Sequence, residues 1–525
     1  MSKFHLALAL FALGSLSSTG RAQCTLDELY ASDALASAGF GTSLSVDGNY
    51  MAVGAPLADG VLAQTGAVYI FELVAGAWVE QAKLVAADGL SGDEFGAALD
   101  ISGNRVVIGA PGTGVDPYIF QRSGATWSQT HRLSGLGPMT GAAVSLDGTV
   151  ALVGAPEGAA GNGRGAAAIY EFNGSTWPRT DLIPGDLGDG FQLGFEVELQ
   201  GDLAIVSAPS ITAGIKGSVY VWTNFGPVWF LTQKITPIDI NFGDDYGVSL
   251  SYSAQEDYLF VGAPGKAYFS WQRAGAAYVY RNQNQSFHVV TTLRPVSTQT
   301  SEELGKSIAV DGSRAAMGSP LGRVRYFEET GGTWGEVGSP TTGPQADAYS
   351  VELAMLDSTV IIASPAADGP AGETGAGKVE AQSTIGGSVS NYCIGAPNSA
   401  GPGAQMSYGG STDIANNDFT LIVQGCPTTV PGLFFYGKAP VQVAFGDGWR
   451  CVGGSLGLFR LGPPVFTDGT GSASRLLDFT SMPVSGGSGA ITAGSTWGFQ
   501  YWFRDNAAGG AGFNLSDALS ATFCP

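Results

Sequence analysis

One pattern recurs seven times between residues 41 and 365: a small residue, two short predicted strands, and then Gly-Ala-Pro or a close variant. The step from the leading residue to the motif is 13 residues in six copies and 15 in the fifth, and the copies start every 45 to 58 residues. A period of this length, built from strands and turns, is typical of propeller blades or of a solenoid. The leading residues are Gly41, Gly96, Gly141, Gly194, Gly247, Gly305 and Ser350.

Each copy predicts four antiparallel strands. In the second copy, Leu99 and Ile101 alternate with polar neighbours, Ser102-Gly103-Asn104 forms a turn, and Val106–Ile108 returns. The motif proline ends the second strand because it cannot donate a ladder hydrogen bond. An aromatic-rich third strand follows, and then a fourth strand that usually contains tryptophan. Four strands in each of seven periods predict a seven-bladed β-propeller.

The two ends of the repeat region predict how the ring closes. The last copy has a third strand near Gly377–Ser383 but no fourth. Residues Thr25–Ala31, before the first copy, resemble the fourth-strand segment Ala82–Ala87. We therefore expect the N-terminal segment to complete the last blade, an exchange that a solenoid would not need.

The repeats resemble the FG-GAP family, which includes the head of integrin α subunits and many secreted bacterial proteins. The resemblance rests on Gly-Ala-Pro together with an aromatic-glycine dipeptide, as in Phe40-Gly41, Phe95-Gly96 and Tyr246-Gly247, with weaker forms at Leu193-Gly194 and Leu304-Gly305. It implies a propeller with a binding or adhesion role. Many family members carry a calcium loop of the form Asp-x-Asp-x-Asp-Gly, and no copy here has it, so we predict no cofactor and do not transfer calcium binding.

The N-terminus and the charge restrict the location and the partners. Residues 1–22 resemble a secretory signal peptide, with Lys3, an apolar run and Gly20-Arg21-Ala22 as a cleavage site. No later apolar run is long enough to span a membrane. The formal net charge is −21, which excludes nucleic acid as a partner because phosphate binding needs clustered lysine and arginine. We expect a secreted or cell-surface protein.

The region after residue 390 predicts a second domain. Gly386–Ser390 has the composition of a linker, and the repeat then disappears. Trp497–Arg504 alternates, with four aromatic residues on one face, as a half-buried strand does. Short strands over residues 391–525 predict a β-sandwich or jelly roll. The segment resembles a C-terminal module of exported planctomycete-type bacterial proteins, through Tyr392-Cys393, Phe445-Gly446-Asp447-Gly448 and Tyr501-Trp502-Phe503-Arg504-Asp505; both a surface or sorting role and carbohydrate binding stay open for it.

Five cysteines in an exported chain indicate disulfides. Cys393 and Cys524 bracket the C-terminal region, which favours a bond between them and leaves Cys426 with Cys451. This is one of three possible pairings of the four cysteines. Cys24 is then left over, either free or intermolecular.

Carboxylates are the one candidate set for chemistry. An acid stands three positions before the leading residue in four copies, at Asp93, Asp244, Glu302 and Asp347. Equivalent positions of a ring lie on one face, so these acids predict a partial acidic rim that either holds divalent cations or bonds to local backbone amides. His131 and His288 fall on outer strands of different blades, which disfavours a serine–histidine triad.

The residues together favour a non-catalytic binding or adhesion scaffold over an enzyme. The predicted organisation is a signal peptide (1–22), a seven-bladed FG-GAP-like propeller (23–385), a linker (386–390) and a β-sandwich-like domain (391–525). The expected partner is a protein or glycan on a cell surface or matrix. A secreted enzyme that degrades glycans or other polymers through the rim carboxylates is the alternative, and a structural cell-surface protein is a third.

Overall fold

The structure is a computed structural model, and it describes most of the chain from residue 22 onward. Residues 1–21, which hold nearly all of the predicted signal peptide, lie outside the described residues. The described ranges are 22–74, 77–113, 116–133, 135–158, 164–210, 212–226, 228–268, 271–295, 301–348, 352–356, 359–387, 389–410, 412, 414, 417–454, 457–492 and 495–524.

Seven antiparallel sheets of four strands each form the first part of the described chain. The first sheet contains Ser43–Asp47 (β2), Tyr50–Ala55 (β3), Ala67–Val74 (β4) and Ala77–Leu84 (β5). The second contains Ala98–Ser102 (β6), Arg105–Gly109 (β7), Tyr118–Ser123 (β8) and Thr126–Arg132 (β9). The third contains Ala143–Asp147 (β10), Val150–Ala155 (β11), Ala166–Glu171 (β12) and Arg179–Asp181 (β13). The fourth contains Val197–Gln200 (β14), Leu203–Ala208 (β15), Ser218–Asn224 (β16) and Trp229–Ile235 (β17).

The remaining three sheets complete the set. The fifth contains Leu250–Ser253 (β18), Tyr258–Gly262 (β19), Ala277–Gln283 (β20) and Ser286–Leu293 (β21). The sixth contains Ser307–Asp311 (β22), Arg314–Ser319 (β23), Arg323–Thr330 (β24) and Thr333–Thr342 (β25). The seventh contains Ala22–Leu29 (β1), Leu353–Leu356 (β26), Thr359–Ser364 (β27) and Lys378–Gly387 (β28). A short 3₁₀ helix, Gln345–Asp347, precedes β26.

The sheets close into a ring. First strands of successive sheets contact one another in chain order from β2 to β26, and β26 also contacts β2. In the seventh sheet the outermost strand is β1, which pairs antiparallel with β28. This arrangement is a β-propeller, and the prediction of an all-β propeller fold is confirmed.

The glycines of the repeat allow neighbouring sheets to approach backbone to backbone. A Cβ atom on Gly54, the glycine of the first Gly-Ala-Pro, would lie 2.0 Å from the carbonyl oxygen of Gly96. Gly96, the leading residue of the next copy, has a φ of +92°, a conformation that favours glycine. The same contact joins Gly109 to Gly141. Two glycines, one in each of two copies, therefore set the spacing of the sheets.

The aromatic residue before the leading glycine packs inside its own sheet. Phe40 is fully buried and meets Tyr69 and Phe71 of the third strand edge-on, with ring centroids 5.5 and 6.0 Å apart. Phe95 and Tyr246 make equivalent edge-on contacts in the second and fifth sheets. Such pairs stabilise beyond the area they bury, so the aromatic-glycine dipeptide is an element of the scaffold.

The C-terminal domain is a β-sandwich. A five-stranded sheet has the order β29-β38-β37-β32-β35, a three-stranded sheet has the order β30-β31-β36, and β33 and β34 form a separate hairpin. Its strands are Val389–Tyr392 (β29), Gln405–Gly409 (β30), Thr420–Gln424 (β31), Pro431–Gly437 (β32), Ala439–Phe445 (β33), Gly448–Gly453 (β34), Phe459–Phe466 (β35), Ala473–Leu476 (β36), Thr496–Arg504 (β37) and Phe513–Thr522 (β38). A second 3₁₀ helix is Gly487–Gly489.

The sandwich core matches the predicted alternation of β37. Trp497, Phe499, Tyr501 and Phe503 are at most 1% exposed and lie in one cluster with residues of the three-stranded sheet. The predicted linker contains strand residues at both ends, because β28 extends to Gly387 and β29 begins at Val389.

The predicted disulfide pairing is wrong. Cys393 is bonded to Cys451, and Cys426 is a buried free thiol. Cys426 lies in the core between the two sheets, whereas Cys451 lies in a smaller apolar cluster on the other side of the five-stranded sheet. That sheet separates Cys426 from Cys451, which spacing along the chain did not indicate. Cys524 is disulfide-bonded as well.

Candidate recognition face of the propeller

Two kinds of connection lie at the same end of the sheets, because antiparallel strands alternate in direction. One joins the second strand to the third and begins at the Gly-Ala-Pro motif; the other joins one sheet to the next. Backbone hydrogen bonds link the two kinds, as from Gly92 N–H to the Gln64 carbonyl at 3.0 Å and from Leu57 N–H to the Ala38 carbonyl at 3.2 Å. We call the surface formed by these connections the loop face.

Two of the four predicted rim acids are buried in the loop face and bond to local backbone. Asp93 is 1% exposed and accepts hydrogen bonds from the Leu90 amide, at 2.7 Å, and from the Thr113 hydroxyl. Asp244 accepts a hydrogen bond from the Asn241 amide at 2.8 Å. These contacts stabilise turns, as aspartate commonly does.

The other two rim acids lie in different surroundings. Glu302 is fully buried and accepts a hydrogen bond from Nε of Arg325 at 2.7 Å. The same arginine pairs with Glu336 at 2.6 Å. Asp347 ends a 3₁₀ helix and is half-buried. The side chains of Asp93, Asp244 and Glu302 are thus engaged by neighbouring groups. The described residues contain no group of three or more histidine, cysteine, aspartate or glutamate side chains placed to hold a metal ion.

Asp245 and Glu303, the acids that directly follow Asp244 and Glu302, are joined by one arginine. Arg273 pairs with Asp245 at 3.2 Å and with Glu303 at 2.8 Å, so one exposed cation joins acids of two successive sheet connections. The loop face is thus crosslinked at its surface as well as beneath it.

A second set of acids on the loop face escaped the sequence reasoning. Each accepts a hydrogen bond from a tyrosine or contacts one, and each pairs with a lysine or arginine: Lys83–Asp33 at 2.7 Å, Arg132–Asp88 at 2.6 Å, Lys234–Asp186 at 2.7 Å and Lys266–Asp239 at 3.1 Å. Against the opposing effect of burial, hydrogen bonds from Lys83 and Tyr69 lower the pKa of Asp33. The signal was available, because each acid stands eight residues before a leading glycine.

Apolar side chains project from the loop face. Leu90 is 60% exposed although its amide is held by Asp93, and Ile238 is 95% exposed. Phe242 is exposed beside Asn241, whose amide is held by Asp244. The exposed apolar residues among the described parts of these connections are Leu35, Leu57, Val61, Leu62 and Leu90 around the first two sheets, Ile183 between the third and the fourth, and Ile238, Phe242 and Trp271 around the fourth and fifth.

The first strands of all seven sheets surround a central cavity of about 510 Å³. In the first five copies of the repeat, the residue four positions after the leading residue is polar. Its side chain accepts a hydrogen bond from a backbone amide of the next sheet. Ser45 accepts from Ile101 at 3.3 Å, Asp100 from Leu146 at 2.7 Å, Ser145 from Leu199 at 3.1 Å, Glu198 from Tyr252 at 3.3 Å and Ser251 from Val310 at 3.1 Å. The equivalent residues of the last two sheets are Ala309 and Ala354.

Four carboxyl groups in this cavity have shifted pKa values. Burial raises the pKa of Glu198 to about 8 and that of Asp100 to about 6. Burial and the charge of Glu352 raise the pKa of Glu196 to about 8, and burial raises the pKa of Glu352 to about 7. These acids were not among the candidates that the sequence indicated, although the alternation of the first strand places them on the cavity side.

Comparison with known proteins identifies the repeats. The family model described as FG-GAP repeat matches residues 26–71, 78–125 and 229–280. These three regions contain Phe40-Gly41, Phe95-Gly96 and Tyr246-Gly247, the three copies with an aromatic-glycine dipeptide. The chain therefore has FG-GAP repeats in these three regions of its β-propeller.

Among solved structures, the WD40 repeats of RRP9 are similar, with a TM-score of 0.45 and 11% identity over 69% of this chain and 99% of that chain. No curated protein sequence matches the chain. No helix within the described ranges is long and apolar enough to cross a membrane.

Proposed function

We propose that this chain is an exported, non-catalytic binding or adhesion protein that recognises a protein or glycan on a cell surface or matrix through its loop face. The observation that carries the proposal is the set of exposed apolar side chains on rigid connections, among them Leu90, which is 60% exposed, and Ile238, which is 95% exposed. Loops held by a rigid scaffold are the usual place for recognition, and exposed apolar patches mark interaction surfaces.

The placement of the acids supports binding rather than catalysis. Asp93 and Asp244 accept hydrogen bonds from backbone amides next to exposed apolar residues, so they shape the surface that meets a partner. The disulfide between Cys393 and Cys451 supports export, because such bonds persist in oxidising compartments.

The test is binding of the full chain to arrays of glycans and matrix proteins, comparing wild type with a double variant, Leu90→Ser with Ile238→Ser. Burying one such side chain contributes about 1.5–3 kcal/mol, so we expect the double variant to bind at least about tenfold more weakly. Val289→Ser is the control, since the exposure of Val289 is similar to that of Leu90 but Val289 lies on the outer strand β21.

Equal loss of binding in the control and in the double variant would contradict the proposal. So would cleavage of a glycan polymer by the wild-type chain that Asp244→Asn abolishes, because this result would establish the enzymatic alternative.

A further inference from the structure

The sandwich has a concave surface on the side of its five-stranded sheet that faces away from the core. Along β32, Phe434 and Tyr436 point into the core, and Leu433 and Phe435 point the other way. Leu433 lies opposite Trp502 on β37, which lies opposite Leu515 on β38. These outward residues form the floor of a pocket of about 860 Å³, within the usual range of ligand pockets of about 300–1,000 Å³.

The hairpin β33–β34 forms one wall of this pocket and is held in place by hydrogen bonds to strand β37 of the five-stranded sheet. Gln500, which is fully buried, accepts a hydrogen bond from the Cys451 amide at 2.9 Å and donates one to the Trp449 carbonyl at 2.8 Å. The disulfide to Cys393 fixes the same strand. The wall that carries Phe445 and Arg450 is therefore anchored to the sheet before any ligand arrives, which lowers the entropic cost of binding.

The polar side chains of the pocket are cationic. Its lining includes Arg450 and Arg460 and no acid, and neither arginine forms an ion pair with any residue in the described ranges. A third arginine, Arg504, lies 5.4 Å from the ring of Trp502. In a chain with a net charge of −21, cations without acidic partners around one pocket indicate an anionic ligand, and the planar guanidinium fits a carboxylate in bidentate fashion.

The rest of the lining indicates the shape of that ligand. Phe445, Phe459 and Trp502 line the pocket and are at least partly exposed, and aromatic rings suit the apolar face of a sugar ring. An extended peptide is disfavoured, because the edge strand β35 contains Pro463 and Pro464, which have no N–H groups for pairing with an added strand.

We propose that this pocket binds uronic-acid residues of an acidic glycan, with Arg450 and Arg460 holding the carboxylate and the aromatic rings stacking on the sugar. The site is separate from the loop face of the propeller and does not depend on the function proposed for that face.

The experiment measures calorimetric binding of the full chain to trimers of galacturonate, glucuronate and mannuronate, each compared with its neutral hexose trimer. We expect at least one uronate trimer to bind at least tenfold more tightly than its neutral counterpart. Hydrogen bonds to charged groups contribute about 1.5–3 kcal/mol, so Arg460→Gln is expected to weaken this binding by about tenfold or more. Arg460 is exposed on the edge strand, so the substitution leaves the core unchanged.

Lys438→Gln is the charge-matched control, because exposed Lys438 lies over the ring of Trp497 and is not part of the pocket lining. Unchanged affinity in Lys438→Gln together with weakened affinity in Arg460→Gln supports the site. Binding of no uronate trimer, equal affinity for acidic and neutral trimers, equal weakening by both substitutions, or tighter binding of an acidic peptide or a fatty acid would overturn the proposal. Leu90→Ser is expected to leave uronate binding unchanged, which separates this site from the loop face.

Discussion

The propeller and the sandwich differ in how their charged side chains are paired. In the propeller, Asp93 and Asp244 are bonded to backbone amides, and Asp33 pairs with Lys83. In the sandwich, Arg450 and Arg460 surround an aromatic pocket without ion pairs to described residues. A charged position that recurs in several copies of the repeat therefore serves the scaffold here, whereas these two arginines outside the repeat are available to a ligand.

The largest expected effect on the free energy of unfolding concerns Arg325. It lies between Glu302 and Glu336 and is almost fully buried. Arg325→Met removes the cation that lies 2.7 Å from Glu302 and 2.6 Å from Glu336, and Arg323 remains 3.9 Å from Glu302. Removal of one partner from a buried ion pair costs about 3–5 kcal/mol. We expect urea unfolding of the propeller to show a loss of that size.

Arg273→Met is the matched control, since Arg273 also joins two acids but is exposed. Exposed ion pairs contribute about 0–1 kcal/mol. Equal losses in the two variants would show that burial of the repeat's acids does not determine their contribution to stability.

The second test separates the stability of the two domains. Replacing Cys393 and Cys451 together by alanine removes a disulfide that closes a separation of 58 residues, and loss of a native disulfide costs about 2–5 kcal/mol in small secreted domains. We expect hydrogen exchange to accelerate in the sandwich and to stay unchanged in the propeller.

Peptide mapping under non-reducing conditions checks the pairing itself. A crosslinked peptide that joins Cys393 to Cys524, or Cys426 to Cys451, would contradict the structure. Weaker uronate binding in the double alanine variant is expected, because β34 carries Arg450 and loses its covalent anchor.

The repeat allowed the propeller fold to be predicted from the sequence, but it did not show which acids bond to the backbone and which line the central cavity. The step from Gly41 to Gly54 and the alternation around Leu99 indicated strands and turns. This prediction was secure because the same local pattern occurs in seven copies. For Asp93 the sequence left cation binding and backbone bonding as alternatives, and the hydrogen bond from the Leu90 amide appears only in the structure. Acids such as Glu198 lie on the cavity side by the alternation of the first strand, so this site was within reach of the sequence.

The sandwich offered no such redundancy. Trp497–Arg504 showed its buried face by alternation, yet the pairing of Cys451 depends on which side of the five-stranded sheet each cysteine lies. The pocket combines residues of β32, β35 and β37 with residues of the separate hairpin β33–β34. These residues are brought together by the order of strands in the sheet and by the packing of the hairpin against it. Pairing between strands that are distant along the chain cannot be inferred from a single sequence.

The smallest expected effect is a pH dependence of propeller stability from the central cavity. The pKa of Glu198 is raised to about 8 by burial, above an unfolded value of about 4.3. The folded state therefore binds this proton more tightly, so the stabilisation is full below the unfolded pKa and is lost as the pH rises through about 8. Glu198→Gln keeps an oxygen that accepts the Tyr252 amide and has no proton to lose. We expect its Tm to exceed that of wild type at pH 8.5 and to equal it at pH 4, where the wild-type carboxyl group is largely protonated in both the folded and the unfolded state.

Glu157→Gln provides the comparison for this variant, because Glu157 is an exposed acid outside the cavity and its replacement is expected to leave the pH dependence of Tm unchanged. A difference between Glu198→Gln and wild type that stays the same from pH 4 to pH 8.5 would show that no proton is involved. Such a result would place Glu198 with Asp93, as an acceptor for a backbone amide and nothing more. A difference that grows with pH would instead separate the cavity acids from every other acid of the repeat, because the cavity acids alone would be held protonated by the ring that surrounds them.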